Sequence, residues 1–139
     1  MKSKAPLSVI EQLVMLLVFA LAAAVCLRAL AWADNASRHS LDCDRALTEA
    51  QSAASVIQQT RGDVYAAAQM LGGSVREGCL VIEYDRDWNR TDSGDILLKV
   101  TPVDSHLALL GRADVSVEMD GDWLATLDAV WQEVAEDEE

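Results

Sequence analysis

The chain has 139 residues, 51% of them hydrophobic, and a formal net charge of −12. That is enough for one domain with a core, too apolar for intrinsic disorder, and too acidic for unaided binding of a phosphate backbone. Three cysteines with no C-x-x-C spacing exclude a zinc ribbon and a dense disulfide framework.

The charge is split along the chain. Before Asp34, Lys2, Lys4 and Arg28 stand against Glu11, a net of +2; from Asp34 onward 8 basic side chains face 22 acidic ones, a net of −14. Between these regimes Leu13 to Leu27 reads LVMLLVFALAAAVCL, 15 residues without a charge or polar amide, and the run extends to Ala33 with Arg28 as the one interruption. Leu, Ala and Met favour helix and no Gly or Pro interrupts them. The 21 residues from Leu13 to Ala33 would rise about 31 Å as a helix, the thickness of a bilayer's hydrocarbon core. Lipid leaves backbone groups no water to bond, so a lone spanning segment must be helical. Lysines before the span and acids after it predict a cytoplasmic N-terminus and an extracytoplasmic remainder, with Arg28 snorkelling near the outer end. A signal peptide cut at Ala31-Trp32-Ala33 competes with this reading. The late Arg28, the bulky Trp32 and a helical pattern that continues past Ala33 favour a retained anchor. Glu11, an acid at the edge of such a helix, is either a functional group with a partner or a headgroup-level side chain.

The stretch Pro6-Leu7-Ser8-Val9-Ile10-Glu11-Gln12-Leu13 resembles the N-terminus of type IV pilins and type II secretion pseudopilins. In that family a short basic leader ends at Gly; Phe, Thr, Leu, Ile and Glu follow, and then an apolar helix. The resemblance places Pro6 at the residue before the cut, Leu7 at the first mature residue and Glu11 at the family's glutamate. That glutamate neutralises the N-terminal ammonium of a neighbouring subunit in the filament, and a carboxylate paired with an ammonium in lipid costs far less than either alone. Pro6 stands where the family has Gly and Leu7 where it has Phe, which leaves open whether prepilin peptidase acts here.

Past Asp34 the helical period persists. Cys43, Leu47, Ala50, Ala54 and Ile57, with Ala46 and Ala53 alongside, form one apolar stripe. The pattern predicts one helix of about 50 residues from Glu11 to Thr60, ended by Gly62. Asp63 caps a second helix over Val64 to Leu71, which Gly72-Gly73 closes. The remainder reads as strands: Cys79 to Tyr84 with Leu80, Ile82 and Tyr84 on one face; Ile96 to Val103 with Ile96, Leu98 and Val100; Ala113 to Met119 with Ala113, Val115, Val117 and Met119. After the hairpin signal Asp120-Gly121 comes Trp123 to Trp131, with Trp123, Ala125, Leu127, Ala129 and Trp131 on one face. One-sided alternation predicts an antiparallel sheet with one wet face. The helix stripe is the expected cover, and Trp123 and Trp131 are candidates for its core.

Candidate chemistry is sparse. Cys43 and Cys79 could form a disulfide in an oxidising compartment, or serve as small core hydrophobes. Cys26 reads as a packing residue in the span. Asp85, Asp87 and Asn89 have the spacing that opens a calcium loop, but Arg90 and Ile96 occupy the positions of its required Gly and Glu, so a solvated loop is the competing and preferred reading. No other cofactor is indicated. His39 is expected to face solvent; Asp104, Ser105 and His106 are adjacent in sequence, which does not make a triad. No nucleophile elbow, phosphate loop, H-E-x-x-H or G-x-G-x-x-G occurs, and enzymatic activity is not expected.

The fold expectation is α+β: a long N-terminal helix, half transmembrane and half amphipathic, packed on a small antiparallel sheet of three or four strands, pilin-like in arrangement. The organisation is a basic cytoplasmic leader over 1–6, a transmembrane half over 7–33, an amphipathic half over 34–62, an extracytoplasmic head over 63–132 and an acidic tail over 133–139. The resemblance implies a structural subunit, a minor component of a type IV pilus, type II secretion or competence-type filament. Its partners would be the membrane and other pilin-like subunits met through the N-terminal helix, with no nucleic acid by itself. The alternatives are a single-pass anchored extracytoplasmic binding domain that does not polymerise, and a domain secreted after cleavage at Ala33.

Overall fold

A computed structural model describes residues 5–107 and 109–133. Residues 1–4 of the expected leader and 134–139 of the expected acidic tail lie outside the described residues. The order is α1 (Ala5–Gln59), α2 (Val64–Leu71), β1 (Ser74–Arg76), β2 (Cys79–Tyr84), β3 (Arg90–Thr91), β4 (Ile96–Val103), β5 (Leu110–Met119) and β6 (Asp122–Gln132). The chain divides into two compact units, Met1–Leu41 and Asp42–Glu139. The first has α1 as its only described element, and the second holds the last turns of α1 and everything after them.

Why α1 ends where it does is a matter of local bonding. Arg61 and Gly62 both take positive φ (49° and 82°), and the Gly62 N–H reaches back to the Ile57 carbonyl at 2.9 Å, satisfying one of the orphan acceptors of the final turn. Asp63 then starts α2 by accepting the Tyr65 and Ala66 N–H groups at 3.0 Å each. Gly72 closes α2 by donating its N–H to the Ala68 carbonyl.

All six strands join one antiparallel sheet in the order β1-β2-β4-β5-β6, with β3 also paired to β2. β1 meets Cys79 to Val81, while β3 meets Glu83 and Tyr84, so the two short strands share one edge of β2. Six strands exceed the three or four expected. β1 and β3 are only three and two residues long, too short for an alternation to register. The hairpin joining β1 to β2 turns on Glu77 and Gly78, both at positive φ, and Asp120 and Gly121 do the same between β5 and β6.

The core lies between one sheet face and the helices of the second unit. From β2, β4 and β5 it takes Leu80, Ile82, Ile96, Leu98, Val100, Val115 and Val117, each at most 4% exposed, matching the faces predicted for those strands. Fully burying each such side chain is worth about 1.5–3 kcal/mol. From α1 come Ala46, Ala50, Ala53 and Ile57, at 1% exposure or less. The covering stripe is thus rotated from the predicted one: Leu47 is 40% exposed, and Cys43 and Ala54 are only half-buried. The contact line runs along Ala46, Ala50, Ala53 and Ile57, and the bulkier Leu47 lies off it.

A second correction concerns the last strand. The register between β5 and β6 shifts between Val117 and Glu118: Val117 opposes Ala125, but Glu118 opposes Trp123. Leu124 is the extra residue of this β-bulge, and side-chain parity inverts across it. Trp123 therefore joins Glu118 on the wet face, 65% exposed, and is not core. Trp131, beyond the bulge, keeps the predicted face and packs half-buried against the core.

Candidate functional site

In the first unit the functional candidates lie along the apolar part of α1. Pro6 occupies the first turn, where a missing N–H and a φ near −65° cost a helix nothing. Leu7 is 73% exposed. Glu11 is exposed and has no ion-pair partner among the described residues. From Leu13 to Leu30 every large apolar side chain is at least half exposed. No described part of the protein covers this surface, and α1 is long and apolar enough to cross a membrane. Exposing so much contiguous apolar surface to water would be unusual; hydrocarbon satisfies it. Trp32, 75% exposed, follows Arg28 at the end of the run, the pairing of amphipathic side chains found at membrane interfaces.

In the second unit polar chemistry gathers where the end of β2 meets α1. The Tyr84 hydroxyl donates to Glu49 Oε2 at 3.2 Å. Burial, then the Glu49 charge, push the Tyr84 pKa up to about 12, against a smaller opposing pull from Arg90. Trp88 packs beside Tyr84 with ring centroids 5.7 Å apart and donates its indole N–H to Asp42 at 3.2 Å. Two aromatic rings thus tie the β2–β3 loop to the helix. Nothing in the sequence singles out Trp88, because a contact 46 residues away leaves no periodic signal.

The calcium-like spacing is used differently. Asp85 Oδ1 accepts the backbone N–H of Asp87 at 2.9 Å and of Asn89 at 2.8 Å, an Asx-type turn. These bonds, the Asn89 amide first, hold the Asp85 carboxyl below its ordinary pKa. Asp87 and Asn89 enter as amides of this turn. Among the described residues no three His, Cys, Asp or Glu side chains group as a metal site. Next door Arg86 bridges Asp95 and Asp120 at 2.9 Å each, joining the loop before β4 to the β5–β6 hairpin; both acids, Asp95 foremost, raise its pKa further.

No disulfide joins Cys43 and Cys79. Cys79 begins β2, while the helix segment carrying Cys43 lies near its other end, where Tyr84 and Trp88 meet Glu49 and Asp42. Five residues of strand span about 16 Å, well beyond the Cα separation of a disulfide. A shallow depression of about 620 Å³ lies on the wet face among Lys99, Thr101, Asp114, Trp123, Thr126 and Asp128. No family model, curated protein or solved structure matches this chain.

Proposed function

We propose that the chain is a membrane-anchored, pilin-like structural subunit, a minor component of a type IV pilus, type II secretion or competence-type filament. The observation that carries this reading is the division of labour within α1. Its first part is apolar and exposed on all sides, and its last part buries a line of small residues under an antiparallel sheet. An exposed apolar helix is satisfied by lipid or by copies of itself, and the head of a filament subunit sets lateral contacts. Glu11, exposed at the start of the apolar run, is the group that would meet the N-terminal ammonium of a neighbour.

N-terminal sequencing of membrane-extracted protein tests the assignment. A start at Leu7 supports a processed subunit, and a start at Asp34 refutes an anchor altogether. A start at Met1 or Lys2 supports the second reading, a single-pass anchored binding domain, which Pro6 in place of the family's Gly favours. Replacing Glu11 with Ala should preserve membrane insertion and weaken cysteine crosslinking between neighbouring helices. Unchanged crosslinking would remove Glu11 from the assembly role.

A further inference from the structure

The two edges of the sheet differ. On one side β1 and β3 fill most of the length of β2. On the other, β6 is 11 residues long and lies last in the strand order. Which of its backbone groups face outward follows from two hydrogen bonds. The Glu133 N–H donates to the Leu109 carbonyl at 2.9 Å, so residue 133, and by strand alternation 131, 129, 127 and 125, turn N–H and C=O toward β5. Gln58 Nε2 donates to the Val130 carbonyl at 3.0 Å from the open side, so 130, 128 and 126 face away. The same parity gives a bonded Met119–Asp122 pair at the hairpin once the bulge is counted.

Edge strands are normally guarded, and β6 is guarded at both ends only. The bulge at Leu124 distorts one end, and Gln58 occupies Val130 at the other. Between them the outward N–H and C=O of Thr126 and Asp128 have no partner among the described residues, and both side chains are exposed. The strand carries neither proline nor lysine nor arginine. Such a row of donors and acceptors is matched by one kind of structure, another extended backbone.

We propose that the open edge of β6 is a strand-docking site that takes an extended, cationic segment of another polypeptide as the next strand of the sheet. The charge is chosen by the surroundings. Asp122, Asp128, Glu118 and Glu133 flank the window; Arg112 pairs with Asp128 at 3.0 Å, Lys99 shares the wet-face depression with Asp128, Arg61 lies near Glu133, and the whole chain stands at −12. Like-charged strands are repelled there and basic ones attracted. A second copy fits less well, because its own β6 brings the same carboxylates, Asp122 and Asp128, to the edge.

The test uses the full chain in detergent micelles and a fluorescent nonapeptide, (Lys-Thr)4-Lys. The lysine peptide should bind. A fully backbone-N-methylated version of it, which keeps the charge and loses the donors, should bind about tenfold more weakly or worse, the loss of one to two net hydrogen bonds. The acidic analogue (Glu-Thr)4-Glu should bind less than the lysine peptide. Thr126→Pro removes an outward N–H and no bond to β5, so the head should keep its circular dichroism and lose the peptide. Should that variant unfold, hydrogen exchange on the unaltered protein decides: the Thr126 and Asp128 amides exchange fast alone and slowly with peptide, while Ala125 and Leu127 are protected throughout. No binding at 1 mM, equal binding of the methylated or acidic peptide, or full binding by a folded Thr126→Pro variant would overturn the proposal. A self-associated chain that Thr126→Pro converts to monomer would assign the edge to a second copy and overturn it too. None of these readouts depends on membrane insertion, so they succeed or fail separately from the anchored reading.

Discussion

Trp131 rests against two glycines, and that contact can be weighed. A Cβ placed on Gly111, its cross-strand partner, would come within 2.2 Å of the indole Cε2 and Nε1; one on Gly62 would come within 2.3 Å of Cζ2. Carbon atoms pack at about 3.5–4 Å, so in Gly111→Ala the ring must retreat by more than about 1 Å. If it tilts in place, the cost is the about 1–3 kcal/mol of overpacking; if it is expelled, about 3–5 kcal/mol is the ceiling. Alanine restricts the unfolded chain and returns about 0.5–1 kcal/mol. The expected net loss is about 2 kcal/mol, or about 8–16 °C in Tm for a head of this size. The assay is thermal unfolding of the full chain in micelles, followed by tryptophan fluorescence in a Trp32→Phe background, so that every remaining tryptophan reports on the second unit. The decisive comparison is the background: with Trp131→Ala already present, Gly111→Ala should become neutral or stabilising. Gly62→Ala should stay destabilising in both backgrounds, because its φ of 82° disfavours any side chain. A Gly111→Ala effect of the same sign and size with and without the ring would refute the packing argument.

Other expectations are as direct. Ile57→Ala should cost about 2–5 kcal/mol, while Leu47→Ala should stay within about 0.5 kcal/mol, because the first side chain is buried and the second is 40% exposed; urea melts of the two variants decide which stripe faces the sheet. Asp63→Ala should lose about 1 kcal/mol by removing the acceptor for two N–H groups of α2, seen as a lower denaturation midpoint. Tyr84 keeps its proton in the folded head up to about pH 12 but loses it near pH 10 once unfolded. Its contribution to stability is therefore fully present below pH 10 and lost as pH rises toward 12. Ultraviolet titration in a Tyr65→Phe background, which leaves Tyr84 as the single tyrosine, should show Glu49→Gln lowering that pKa. A value unmoved by Glu49→Gln would remove the carboxylate from its causes.

Where local chemistry suffices, the residues alone determine the outcome. Asp63, followed by an apolar helical turn and Gly72, specifies α2 to the residue, because a cap and a stop are short-range bonds. The same holds for β2 and β4, whose alternation is long enough to read, and for an uncharged run that can only be helical where water is absent. β5 begins three residues before the predicted start: Gly111 has no side chain to carry the alternation, and Trp131 of the neighbouring strand covers it.

Tertiary structure decided the rest. One inserted residue at Leu124 turns Trp123 outward, and no alternation pattern announces a bulge. The helix meets the sheet through Ala46, Ala50, Ala53 and Ile57 and leaves Leu47 40% exposed, a choice that hydrophobicity along the chain does not make. Trp88 finds Asp42, and Asp85 turns its oxygens on its own loop, contacts that follow from how β2 ends beside α1. Pattern along a chain records which residues avoid water. Which surface they avoid it against, and which edge is left unpaired, is settled only when distant segments compete for the same space.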